Sequence, residues 1–164
     1  AVGYEMRMEP QKIAAGLKSF VPSGMRQRIK KVGGITVIED CYNASPDSQK
    51  AALDVLSSFK SNRRIAVLGD MLELGKYSDV SHENVGKYTE NKNIDILFTY
   101  GVKAKHIAEG AKGFVDEIKS FDDKTELAKT LLETLKDGDA VLFKASRGMK
   151  LEDVINSLYR EWEE

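Results

Sequence analysis

Three short stretches of this chain hold most of the residue types that could do chemistry. The first is Glu39-Asp40-Cys41-Tyr42-Asn43-Ala44-Ser45-Pro46-Asp47-Ser48. An acidic pair followed by an Asn-bearing turn could hold ribose hydroxyls or orient a cation. Ser45 as a helix cap and Pro46 at the first helical position account for Ser45 to Ser48 without any ligand. They leave Tyr42, Asn43 and the acidic pair unexplained. The second stretch is Gly69-Asp70-Met71-Leu72-Glu73-Leu74-Gly75. Two glycines bracket a tight excursion with Asp70 at its rim. Met71, Leu72 and Leu74 read as apolar residues packed under the loop, and Glu73 as a solvated one. The third, Lys144-Ala145-Ser146-Arg147-Gly148, places two cations and a hydroxyl directly before a helix start. Such a site suits a carboxylate or a phosphate, and a basic turn built on Ser146 is the competing reading.

Each stretch follows an apolar run that reads as a strand. ITVIED precedes the first, RIAVLG the second and AVLFK the third. RIAVLG is apolar at nearly every position, the pattern of a strand covered on both faces. Helical periodicity fills the intervals: Asp47 to Phe59, His82 to Asn91, Lys103 to Ala111, Thr125 to Lys136 and Lys150 to Trp162. DILFTY and a weaker segment from Val115 to Phe121 supply further strands. MRQRIKKV and ITVIED flank Gly33-Gly34 and read as a hairpin. Repeated strand–helix units predict an α/β, Rossmann-like, mostly parallel sheet with helices on both sides and an amino-terminal hairpin. Ligands of such sheets bind beyond the carboxyl ends of the strands. The positions to inspect are therefore Asp40 to Pro46, Asp70 to Gly75, Gly101 and Lys144 to Gly148. Ahead of all this, Pro10 opens a helical pattern carrying Ile13, Leu17 and Phe20, and Val21-Pro22-Ser23-Gly24 breaks it as a linker would.

Composition narrows the function classes. At 41% hydrophobic and 31% charged residues, 164 residues make an ordinary globular domain and not a disordered chain. A net charge of −1 with scattered Lys and Arg does not suggest a nucleic-acid or anionic-membrane surface. No apolar run approaches the roughly 20 residues of a membrane span, and the first residues lack the pattern of a signal peptide. A single cysteine, Cys41, provides no disulfide framework and no cysteine zinc site. The cytoplasm is the expected location. With only two histidines there is no metal cluster to build. His82 reads as a packing or capping residue at a helix start, His106 as half exposed, and Tyr159 and Trp162 as core or interface residues. No Gly-x-x-x-x-Gly-Lys-Ser/Thr phosphate loop and no Gly-x-Gly-x-x-Gly occurs, so a main ATP cradle is not among these residues.

The loops in their order, VIEDCYNASPDSQKAALDVL, RRIAVLGDMLELG, His82 and LFKASRGMKLEDVINSL, resemble the carboxy-terminal domain of the Mur ligase family, in its D-alanyl-D-alanine-adding branch. The likeness runs from about Met25 to the end. It implies residues 25–164 as that domain, and residues 1–24 as the terminal helix and linker of a central ATP-binding domain. The whole would be a three-domain, ATP-dependent, bacterial cell-wall ligase, with ATP and Mg2+ held mainly in the central domain. Its substrates would be UDP-N-acetylmuramoyl-tripeptide and D-alanyl-D-alanine, and the piece alone would be inactive. By residue, the resemblance implies that Arg26 approaches the ATP phosphates, although the family usually has Gly-Arg where this chain has Gly24-Met25-Arg26. Asp40 would meet the ribose, and Tyr42 and Asn43 would line the nucleotide crevice. Lys144, Ser146 and Arg147 would lie near the incoming dipeptide, with Ala145 where the family has glycine. Asp70 and His82 are further crevice candidates.

Two other classes fit parts of the pattern. A receiver-type signalling domain would use Glu39-Asp40, Asp70, Thr99 and Lys144 as acid pair, phosphoacceptor, hydroxyl and lysine. The order of types suits it, but too little chain separates Asp40 from Asp70 and too much separates Thr99 from Lys144. A stand-alone Rossmann-like binding module would pack its first 20 residues as an integral part of the domain.

Overall fold

Strand order decides which of these loops meet. The computed structural model describes residues 1–20 and 26–163, so the predicted linker Val21–Gly24 lies outside the described residues. The elements are α1 (Val2–Glu5), α2 (Pro10–Lys18), β1 (Arg28–Val32), β2 (Ile35–Asp40), α3 (Pro46–Ser58), β3 (Arg64–Gly69), α4 (Ser78–Lys87), β4 (Ile96–Tyr100), α5 (Lys105–Ala111), β5 (Glu117–Phe121), α6 (Lys124–Thr134), β6 (Ala140–Lys144) and α7 (Glu152–Glu163). They form one sheet in the order β1-β2-β6-β3-β4-β5. β1 pairs antiparallel with β2, and every other neighbouring pair is parallel. The chain steps outward from β3 to β5, and then α6 returns it to the middle. β6 thereby lies between β2 and β3. The carboxyl ends of these three strands, each followed by one of the chemistry-bearing loops, stand side by side.

Alternation along the strands builds two cores. Val37, Ile65, Val67, Phe98, Val141 and Phe143 face α6 and α7, where Leu127, Leu131, Val154, Ile155 and Leu158 meet them. Ile38, Ala66, Leu68, Leu97 and Leu142 face the other way, against Leu53 and Leu56 of α3, Val85 of α4 and Ile107 of α5. The predicted α/β sandwich and its hairpin are both present. Gly33 and Gly34 sit at φ 56° and 76°, the doubly left-handed geometry that a two-residue hairpin turn demands. Ser45 caps α3 as expected: its side chain accepts from the Ser48 N–H, and Ser48 Oγ accepts from the Ser45 N–H at 2.9 Å.

Helix boundaries differ where the sequence lacks a cap. α4 begins at Ser78, before His82, because a 3-10 turn over Gly75–Tyr77 runs directly into it with no side-chain cap to mark the start. α4 and α5 then pack unusually close. A Cβ on Gly86 would fall 2.1 Å from the Ile107 carbonyl oxygen, and one on Gly110 would fall 2.2 Å from that of Glu83.

No residue of α1 or α2 is buried, and Val2, Tyr4, Leu17 and Phe20 are exposed. These helices add nothing to either core, unlike the integral first helix that a stand-alone module would have. No helix among the described residues is long and apolar enough to cross a membrane.

Candidate functional site

β2 and β6 are neighbours with Asp40 opposite Lys144 in register, so both side chains project from the same sheet edge. They form a buried ion pair: Lys144 Nζ donates to Asp40 Oδ2 at 2.7 Å and to the Asn43 carbonyl at 3.0 Å. Lys144 is only 2% exposed and Asp40 8%. The sequence reading gave these residues separate ligands, and the fold makes them partners. The Asp40 Oδ1 atom accepts from the Gln27 N–H at 3.3 Å, tying the entry of β1 to the same point. One lysine thus fixes both the end of β2 and the start of the Tyr42-Asn43 turn.

That turn divides the strand-end crevice into two cavities. The larger, about 600 Å³, is lined by Arg26, Gln27, Asp40, Tyr42, Asn43 and Lys144 together with Phe20, Ser45 and Ser48. The smaller, about 270 Å³, is lined by Tyr42, Asn43, Leu72, Glu73, Ser146, Arg147 and Gly148. Tyr42 stands between them as a platform. The Arg26 guanidinium lies 4.0 Å from its ring centroid and that of Arg147 5.4 Å, within cation–π range. The two arginines are thereby held over the partition, one lining each cavity.

Ser146 pins the loops around the smaller cavity. It is 4% exposed; its hydroxyl accepts from the Leu72 N–H at 2.9 Å, and its own N–H donates to the Asp70 carbonyl at 3.1 Å. Leu72 departs from the expectation that it packs under its loop. It is 43% exposed, because this hydrogen bond fixes its backbone and leaves its side chain lying over Gly148, where a Cβ would come within 2.8 Å of it. Met71, by contrast, is buried as expected.

Asp70 and His82 line neither cavity. The Asp70 carboxylate turns towards the β4–α5 connection and accepts from the Ala104 N–H at 2.6 Å. Thr99, the hydroxyl of the receiver-type reading, donates to Ser120 Oγ at 2.8 Å. His82 is fully buried. Its Nε2 accepts from the Met71 N–H at 2.9 Å, and its Nδ1 lies 2.7 Å from the Ser78 carbonyl. Since a backbone N–H can only donate, Nδ1 carries the proton and the ring is neutral. Burial pushes its pKa below the ordinary 6.5. The unfolded chain then binds more protons on acidification, so stability falls as pH drops below about 6.5 towards the depressed folded value. We expect urea midpoints to decline between pH 7 and pH 5, and this slope to flatten in His82→Gln. Undiminished acid sensitivity in that variant would refute the role given to His82.

Cys41 is buried and donates to the Phe143 carbonyl at 3.4 Å. Burial, with Glu152 and Asp40 nearby, pushes its thiol up, so it is not a thiolate nucleophile. Tyr159 donates to the buried Glu39, which also takes Lys30 at 3.0 Å. The acidic pair therefore splits, with Glu39 serving the α7 side and Asp40 the crevice. Among the described residues no group of three or more His, Cys, Asp or Glu could hold a metal ion.

Comparison with known proteins agrees with this architecture. Residues 25–147 match the family described as Mur ligase, glutamate ligase domain. The chain is 41% identical over 162 residues to the UDP-N-acetylmuramoyl-tripeptide–D-alanyl-D-alanine ligase of Bacillus subtilis, covering 96% of this chain and 35% of that protein. The enzyme of the same name from Synechocystis is 35% identical, with 98% and 36% covered. The MurF ligase of Thermotoga maritima, solved in complex with ADP, superposes with a TM-score of 0.81 at 28% identity over 99% of this chain and 36% of that one. The chain spans about a third of the length of the curated relatives it matches. A family match over most of its residues and a shared fold place this chain in the Mur ligase family, as its glutamate ligase domain.

Proposed function

We propose that the chain is the carboxy-terminal third of an ATP-dependent ligase that joins D-alanyl-D-alanine to UDP-N-acetylmuramoyl-tripeptide, a cytoplasmic step in building cell-wall precursors. Residues 25–164 are the domain itself, and residues 1–24 belong to the central ATP-binding domain, on which the exposed apolar residues of α1 and α2 rest. The observation that carries this reading is the Tyr42 partition with an arginine at each side. The reaction needs two anionic groups brought together: a nucleotide, and an incoming dipeptide carboxylate. The γ-phosphoryl of ATP passes to the tripeptide carboxylate as ADP leaves. The dipeptide amine, its extra protons given up to solvent, then attacks the acyl phosphate carbon, and phosphate leaves with the electron pair of the broken C–O bond.

In this reading Arg26 reaches the nucleotide phosphates across the larger cavity, whose 600 Å³ lies within the range of ligand-sized sites. Asp40 meets the ribose while shared with Lys144, and Tyr42 and Asn43 form the wall between nucleotide and dipeptide. Ser146 and Lys144 hold that wall and its neighbouring loop, and Arg147 faces the dipeptide. The residues described here do not fit a Mg2+ site, which falls to the central domain with the ATP phosphate loop.

The test uses the purified longer protein with ATP, the UDP-linked tripeptide and D-alanyl-D-alanine. Phosphate release should require all three, and the 164-residue chain alone should release none. Arg26→Ala in the longer protein should raise the KM for ATP about tenfold or more, the worth of a charge-assisted hydrogen bond. Release without the dipeptide, or by the isolated chain, would overturn the assignment.

A further inference from the structure

Glu73 is the one residue of the β3–α4 loop whose backbone the surroundings force and whose side chain nothing among the described residues engages. It is an ordinary L-residue at φ 67°, a left-handed conformation that costs energy and persists only where neighbours over-determine it. They do so here. The loop is tied on one side to His82 through the Met71 N–H and on the other to Ser146 through the Leu72 N–H and the Asp70 carbonyl. Held this way, Glu73 and Leu72 both line the smaller cavity together with Arg147.

The charges of that cavity are unspent. Neither Glu73 nor Arg147 has an ion-pair partner among the described residues. Lys144 cannot serve as the cation, because its Nζ is already taken by Asp40 and the Asn43 carbonyl. A site with one free carboxylate and one free guanidinium rejects a simple phosphate, which Glu73 would repel. It accepts a zwitterion. At about 270 Å³ the cavity falls just below the range typical of drug-sized ligands, which fits a molecule as small as a dipeptide. Leu72, 43% exposed at its edge, offers an apolar surface suited to a methyl side chain.

We propose that Glu73 holds the amino end of the incoming dipeptide while Arg147 holds its carboxylate, so that the left-handed loop residue sets which acceptor the ligase takes. This rests on the ligase reading above and adds to it a residue and an orientation. The ammonium donates to Glu73 and the carboxylate accepts from Arg147, each a charge-assisted hydrogen bond; the ammonium gives up a proton to solvent before its lone pair attacks. Placing the amino end at the β3–α4 loop fixes the direction from which it approaches the activated carboxylate.

The experiment uses the longer protein, with D-alanyl-D-alanine and its carboxy-terminal amide as alternative acceptors. Glu73→Gln should raise the KM for both acceptors about tenfold or more while the KM for ATP stays within about twofold. Glu73→Gly, which relaxes the left-handed backbone, should behave the same way and guards against a folding artefact. Arg147→Gln should raise the KM for the dipeptide but leave that for the amide unchanged, since the amide has no carboxylate to lose. Wild-type values in both Glu73 variants would overturn the proposal, and an Arg147→Gln effect that persists with the amide would overturn the orientation. If the unsubstituted protein shows no dipeptide-dependent phosphate release, the ligase reading itself fails, and that outcome is distinct from either of these.

Discussion

Lys144→Ala should destabilise the chain by about 3–5 kcal/mol, the cost of leaving a buried carboxylate without its partner. Lys144 is 2% exposed and its amine is 2.7 Å from Asp40. Removing it leaves the Asp40 carboxylate with only the Gln27 N–H and takes the lysine donor from the Asn43 carbonyl. A lysine waiting in a solvated loop for an anion would behave differently, since such surface substitutions stay within about 0.5 kcal/mol. Urea unfolding of Lys144→Ala separates the two cases. The double variant Asp40→Asn/Lys144→Met should recover most of the loss, because a buried pair replaced as a unit leaves no uncompensated charge. If the single variant is near wild type, or the double one is as poor as the sum of both singles, the pair does not hold the site. The order of tests matters. A raised dipeptide KM in Lys144→Ala means something only after the fold has been shown to survive.

Why that pairing escapes a reading of the sequence is a matter of topology. The strands themselves are plain in the chain: RIAVLG is apolar after Arg64 because β3 is covered on both faces, and Ser45-Pro46 announces α3 through its cap. The three loops at the strand ends were likewise legible, since parallel sheets collect ligands there. What periodicity does not encode is that β6 inserts between β2 and β3. Asp40 and Lys144, 104 residues apart, become neighbours only through that insertion. The same blindness applies to Asp70, whose carboxylate turns to the start of α5, and to His82, whose ring is consumed by two backbone groups. Leu72 and Glu73 look like loop filler until Ser146 pins the backbone beside the smaller cavity. The signal that could have raised Glu73 is Gly75 itself. A glycine at φ 53° two positions on marks a loop already bent into left-handed geometry, though not which of its side chains faces the ligand.

Gly86→Ala should be among the most damaging single-methyl additions at the described residues, and its effect should reach the site. The new Cβ would sit 2.1 Å from the Ile107 carbonyl oxygen and 2.8 Å from the Ala111 nitrogen. Both are backbone atoms of the facing helix, which cannot rotate aside as a side chain would. Relief requires α4 and α5 to separate, and overpacking of a close-packed interior costs about 1–3 kcal/mol and occasionally more. With backbone on both sides we expect about 3 kcal/mol or above by urea unfolding. Gly110→Ala makes the reciprocal clash with Glu83 at 2.2 Å, so the double variant should cost clearly less than the two singles added, because one separation accommodates both methyls. α4 also carries His82, the anchor of the Met71 N–H. Moving α4 outward therefore loosens the loop that presents Leu72 and Glu73. In the longer protein at a temperature where the variant stays folded, Gly86→Ala should raise the KM for the dipeptide while sparing that for ATP, whose proposed contacts lie on the β1–β2 side of Tyr42. Equal damage to both constants would mean that the helix pair supports the whole crevice and not the smaller cavity alone.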